Sequence, residues 1–299
     1  MVYLDDSIMQ KGFPATAGSK ALLNFIAPFD ATVVTRLQDK TERVKLAEFG
    51  LGDPGELPSP MLCNDIFGHV RSQAVQQGLC YIRPSYGTVS RYGLIPAAAS
   101  MDQIGIVCND PVEGFSLLSA IAGHDEKDGA MFDETHYSFG KTNVKPLIAE
   151  WDESFPCSGV YRQVLDILAY AEISCNISRY DGIKFGYRSG NYKNLDELYI
   201  KSRTEAFGPG AKLAAVMGCL ILSRDYYEAY YEKAMKIRRL IKESLRFDEY
   251  DVILLSVDNP LAILAGLPSL SFTRGGKGVQ LAANVKHESA LINAWEALG

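Results

Sequence analysis

Two kinds of apolar segment share this chain of 299 residues, and their coexistence constrains the fold more than any other feature. One kind is long and repeats at helical spacing. In residues 223–246 (SRDYYEAYYEKAMKIRRLIKESLR), Tyr227, Tyr230, Ala234, Ile237 and Ile241 recur every three or four positions, and Glu232 stands four before Lys236. That spacing predicts a long amphipathic helix with a half-buried tyrosine face and a solvated basic one. The other kind is short: DVILLSV (251–257) and the stretch 278–283 have the length of buried strands. Strands mixed with helices of this length predict an α/β sandwich, helices packed on the faces of a sheet.

The neighbouring segments extend that scheme. Asp110-Pro111-Val112-Glu113 combines a capping side chain, a proline at the first helical position and a glutamate three after the cap. It predicts a helix that runs on through FSLLSAIA and stops at Gly123. Residues 164–177 read as an apolar helix or a helix followed by a strand, 209–222 as a buried helix after Gly208, and 288–298 as a closing helix. Residues 31–37 (ATVVTRL) fit a helix or a buried strand. Residues 38–62, charged and then rich in glycine and proline, read as an irregular surface loop.

Composition matters here for what it excludes. A net charge of −6 leaves no electrostatic footprint for direct nucleic-acid binding. The six cysteines are scattered without a C-x-x-C pair or clustered histidines, which argues against a zinc site and a disulfide framework. No metal and no cofactor is expected. The opening MVYLDDSIMQ lacks the basic and apolar parts of a signal peptide. The longest apolar run, 213–222, is about half of a bilayer span. The expectation is a cytoplasmic protein away from membranes.

Several stretches resemble the amidase signature family, and within it the A (glutaminase) subunits of glutamyl-tRNA(Gln) amidotransferases. They are KGFPATAGSKALLNFIAPFDATVV (11–34), RPSYGTVSRYGLIPAAASMDQIGIV (83–107), PVEGFSLLSAIAGHDEKD (111–128), SRYDGIKFGYR (178–188), the long run 202–245 and LAGLPSLSF (264–272). The resemblance implies one domain over 1–299, an α/β/α sandwich on a central mixed sheet, reduced in size. It also implies a protein partner like an amidotransferase B or C subunit, with a homo-oligomer as the alternative, and a small amide or amino-acid ligand.

Amide hydrolysis through a serine needs a base for the hydroxyl proton and donors for the oxyanion. The family supplies a buried neutral lysine, a bridging serine on a Gly/Ser-rich loop, and a nucleophilic serine at the end of a glycine-rich turn. Matched residue by residue, the lysine position holds Asp5, and GLGDPGELPSPML (50–62) has no Gly/Ser-rich run. The nucleophile turn corresponds to NDIFGHVR (64–71), where Asp65, Gly68 and Arg71 match, Phe67 replaces a glycine and His69 replaces the serine. The family's catalytic positions are thus degenerate at Asp5 and His69. Arg179 in SRYDG matches a position used to hold the substrate's charged end, so Arg179, Gly68 and Phe67 are the candidate ligand-binding residues.

Two functional readings follow. The leading one is a non-catalytic binding, regulatory or accessory module on an amidase fold. The alternative is an active hydrolase of C–N bonds built on an Asp5–His69 dyad, in which the carboxylate orients the imidazole and Ser7 or Cys63 serves as a new nucleophile. Asp5 and His69 are expected to lie close together in the old pocket as a hydrogen-bonded or water-bridged pair.

Overall fold

Nine strands hydrogen-bond into one sheet among the described residues, 1–37, 40–142, 145–184 and 186–298 of a computed structural model. In chain order the strands are β1 Val2–Asp5, β2 Thr41–Val44, β3 Met61–Asn64, β4 Cys80–Arg83, β5 Ile104–Cys108, β6 Ile148–Glu150, β7 Val252–Ser256, β8 Ser269–Arg274 and β9 Lys277–Ala283. They lie in the order β2-β1-β3-β5-β4-β8-β9-β7-β6. β1 runs parallel to both β2 and β3, β6 runs parallel to β7, and the remaining pairs are antiparallel, so the sheet is mixed.

Period-two alternation splits the strands between two cores. Val2, Leu4, Ile82, Ile106, Leu270 and Leu281 point to one face. There they meet α3 (Pro111–Ile121) and α9 (Glu288–Leu298). Ile253, Leu255 and Ala282 point to the other, covered by α4 (Tyr161–Ile177), α6 (Pro209–Ile221) and the short α8 (Leu261–Ala265). Beside them on that face, α2 (His69–Gln76) sits over Met61, Cys63, Tyr81 and Val107. The result is the α/β/α sandwich expected.

Local signals gave the helices more faithfully than the connections. The Asp110 carboxylate accepts the Val112 and Glu113 N–H groups at 2.7 and 3.3 Å, and α3 begins at Pro111 as the capping pattern predicts. Residues 164–177 belong to a single helix, and the ambiguous 31–37 holds a short helix, α1 (Thr32–Arg36). Three expectations need correction. Residues 38–62 are not wholly irregular: β2 extends the sheet edge through its pairing with β1, and β3 begins at Met61. Positions 38 and 39 lie outside the described residues. Residues 223–246 are not one helix: a π-helical turn over Glu228–Glu232 leads into α7 (Lys233–Glu243), and Tyr227 and Tyr230 stay 42% and 45% exposed. Finally, α6 is not buried all round. Ala211, Ala214 and Gly218 pack inward, but Leu213, Val216 and Leu220 face outward at 53%, 67% and 44% exposure.

Glycine decides two close approaches on this side of the sheet. A Cβ on Gly218 would stand 2.3 Å from the Tyr170 carbonyl and 2.4 Å from Ser174 Oγ, so α6 can lie this close to α4 only without one. Gly68, at φ +88°, starts α2 in the left-handed region, and a Cβ there would stand 2.7 Å from the Arg71 guanidinium.

Candidate functional site

The turn NDIFGHVR ends β3 and starts α2, and its own aspartate holds it shut. Asp65 Oδ1 accepts the Gly68 and Val70 N–H groups at 2.9 and 3.2 Å, and Oδ2 accepts the Arg71 N–H at 3.3 Å. A carboxylate at a helix N-terminus satisfies orphan donors and meets the positive end of the dipole. Those three donors are therefore already occupied. Arg71, fully buried, lies 3.6 Å from Asp65 and donates to the Val257 and Asn259 carbonyls at 2.7 and 3.1 Å, pinning α2 to the segment after β7.

Phe67 and Gly68 are both buried. The Phe67 ring lies 6.0 Å from Tyr170 and 5.9 Å from the His69 ring, and its carbonyl accepts from Arg162 Nη1 at 3.1 Å. Arg162 was not visible as a partner from sequence, since nothing in the order of residues ties α4 to this turn. His69 itself is only partly buried. Its Nδ1 stands 3.2 Å from the Gly50 carbonyl and 3.4 Å from the Gly52 nitrogen; carrying a proton, it donates to Gly50.

Asp5, at the end of β1, is buried and holds a different partner. Its carboxylate accepts the Ser7 hydroxyl at 2.5 Å and the Ser7 N–H at 3.3 Å. This is the local Asx pattern that an Asp-x-Ser spacing offers. Burial raises the Asp5 pKa to about 6, with the like charge of Asp6 acting the same way, against the Ser7 hydrogen bonds and Arg43. Asp5 and His69 line one cavity together with Ser7, Ala17, Phe49 and Asn64, but no hydrogen bond joins the two side chains. The cavity is narrow, about 20 Å³, on the scale of one or two waters. Cys63, the other candidate nucleophile, is completely buried in β3, and burial drives its thiol pKa well up, so the thiolate is suppressed.

Arg179 lies beyond the C-terminus of α4 and outside that cavity. It lines a cleft of about 470 Å³ with Met9, Leu22, Phe25, Tyr180 and Lys184, and Ile95 forms a wall common to both spaces. Its guanidinium donates to the Asn176 carbonyl and Asn176 Oδ1, both at 2.8 Å, leaving other N–H groups available. The structure thus groups Asp5 with His69, keeps Phe67 and Gly68 as packing and turn residues beside them, and sets Arg179 apart. No group of three or more His, Cys, Asp or Glu side chains able to hold a metal gathers among the described residues. Nor does any helix among them have the length and apolarity to cross a membrane.

Comparison with known proteins matches this architecture. A sequence profile for the family described as Amidase matches residues 61–158 and 153–271. The glutamyl-tRNA(Gln) amidotransferase A subunit of Paraburkholderia phytofirmans is 31% identical over 91% of this chain and 70% of its own length. That of Persephonella marina is 29% identical over 97% of this chain and 81% of its own, in an alignment of 391 positions, longer than this chain itself. The crystal structure of the corresponding Thermotoga maritima protein superposes with a TM-score of 0.66 at 25% identity, covering 98% of this chain and 81% of that one. A structure described under an unexpected vestigial protein complex and the origins of an s-triazine catabolic enzyme reaches 0.77 at 17% identity, over 100% and 83%, a likeness of fold alone. With most of its length under the family profile and its sheet in the family's shape, the chain belongs to the amidase family.

Proposed function

We propose that this chain has lost the serine-based amide chemistry of its relatives and works as a binding or regulatory module on the amidase fold. The observation that carries the reading is the space around His69. The residue matching the nucleophile is an imidazole against the Gly50 carbonyl, in a narrow cavity of about 20 Å³, far below the roughly 300 Å³ or more of ordinary small-molecule sites. Asp5, at the position matching the lysine base, is a buried carboxylate already bonded to Ser7. An alignment longer than the chain supports internal shortening, because the relative carries residues between matched segments that have no counterpart here.

The ligand in this reading is a small amide or amino acid whose carboxylate reaches Arg179 from the 470 Å³ cleft. The outward apolar face of α6 supports a protein partner, since a helix apolar all round belongs in contact with something on every side. Isothermal titration with glutamine, asparagine and glutamate tests the ligand. Saturable binding lost in Arg179→Ala, with an unchanged melting temperature, is expected. Binding untouched by that substitution removes Arg179 from the reading.

One observation favours the second reading, an active hydrolase. The Ser7 hydroxyl is 2.5 Å from the Asp5 carboxylate, a hydroxyl and a potential base in contact at the edge of the same cavity. Labelling by a fluorophosphonate probe that maps to Ser7 and disappears in Ser7→Ala would establish it.

A further inference from the structure

A third opening lies between α7 and the chain after β4 and before β8, and the reading above makes no use of it. It is a groove of about 560 Å³, within the range of small-molecule sites, and no carboxylate lines it among the described residues. Arg238, Arg239 and Lys242 line it from α7, and Tyr86 and Phe132 line it from the loops after β4 and after α3.

The three cations differ in how their charge is held. Arg238 donates through Nε to the Leu264 carbonyl at 2.8 Å and through its two terminal nitrogens to Ser100 Oγ and the Ser100 carbonyl at 2.8 and 2.9 Å. Those acceptors are all neutral. Glu172 stands behind Ser100, accepting its N–H at 2.9 Å and its hydroxyl, so no carboxylate touches the guanidinium. Arg238 is thereby fixed in place with its charge uncompensated by direct contact and two N–H groups left over. Among the described residues Arg239 pairs with Glu243 alone, at 2.7 Å, both well exposed, which is a weak and exchangeable pair. Lys242 has no carboxylate at ion-pair distance among the described residues. Two further cations brace the rings: Arg91 lies 4.8 Å from the Tyr86 centroid and Lys286 4.2 Å from that of Phe132, though each is also paired, with Asp128 and Glu134.

We propose that this groove binds an organic phosphate bearing a flat ring, a ligand of mononucleotide size, with the phosphate on Arg238, Arg239 and Lys242 and the ring along the Tyr86 and Phe132 wall. Three cations within five residues of one helix exceed what a single carboxylate needs. A phosphate monoester brings close to two charges and three acceptor oxygens, which matches them. The ring wall is apolar and aromatic, suited to a base or similar heterocycle and indifferent to a bare sugar.

Titration of the full chain with adenosine 5′-monophosphate, ribose 5-phosphate and adenosine, by calorimetry at low salt, separates the two halves of the ligand. The expected result is saturable binding of the monophosphate, at least about tenfold tighter than either fragment and weakened by added salt. Arg239→Glu with Lys242→Glu should weaken it a further tenfold or more at unchanged melting temperature, and Lys242→Ala alone serves if the double variant does not fold. Equal affinity for the monophosphate and either fragment overturns the proposal, as does monophosphate binding unaffected by the substitutions, or none by the folded protein.

Discussion

Replacing Asp65 with alanine should cost this protein about 4 kcal/mol, and the structure shows where that comes from. The carboxylate is 2% exposed, accepts from three donors, the Gly68, Val70 and Arg71 N–H groups, and pairs at 3.6 Å with the Arg71 guanidinium. Losing a helix cap costs about 1 kcal/mol. Stripping a buried cation of its partner costs about 3 to 5 kcal/mol, here toward the low end because Arg71 keeps the Val257 and Asn259 carbonyls. The sum is a large share of a typical folding stability of about 5 to 15 kcal/mol. In a thermal melt followed by circular dichroism, roughly 2 °C per kcal/mol for a chain of this size gives a fall of about 8 °C. Arg71→Met in the same background should recover part of the loss, because the stranded charge is gone, giving a coupling of about 1 to 3 kcal/mol in the double-mutant cycle. An Asp65→Ala protein within about 1 kcal/mol of the parent in urea, or a cycle that is simply additive, would refute the claim that this carboxylate organises the turn.

Asp5 yields a pH dependence with a definite sign. Its folded pKa, about 6, lies above the ordinary 3.8, so between those values the folded state holds more proton than the unfolded one and stability falls as pH rises. The penalty is absent below the unfolded value and complete above the folded one, about 3 kcal/mol in all. Measured against Asp5→Asn, which cannot ionise, the parent should lose about that much stability between pH 4 and pH 7; parallel curves for the two proteins would contradict it. Gly68→Ala places a methyl on the pinned Arg71 at a left-handed φ, and a destabilisation of about 3 kcal/mol is expected in urea titration. Val216→Glu, on the outward face of α6, should change the isolated chain's stability by no more than about 0.5 kcal/mol; a large loss would mean that face is packed within the chain.

What could be read from sequence was what neighbours in the chain decide. Asp110 caps α3 through atoms two and three residues away, and the pattern announces itself. The four-residue strands β1, β3 and β4 give no such signal, because their pairing joins Tyr3 to Met61 and Tyr81 to Ser271 across long intervals of chain. The apolar sequence of α6 reads as buried because hydropathy does not record that only one of its faces meets α4. At the site, the resemblance put Asp5 and His69 together as a pair; both line one cavity, but each side chain bonds elsewhere and no direct hydrogen bond joins them. It was silent on the size of that pocket, and on Ser7 and the Gly50 carbonyl as the partners each side chain takes. Arg238, Arg239 and Lys242 read as part of a solvated basic face until the fold gathered Tyr86 and Phe132 into the same groove.

The proposed loss of serine amide chemistry meets its most direct test in a coupled assay of ammonia release from glutamine and asparagine, run on the purified chain beside His69→Ala and Ser7→Ala. Release no greater than the buffer blank from all three proteins is the expected result. Turnover by the parent that either substitution abolishes would contradict it.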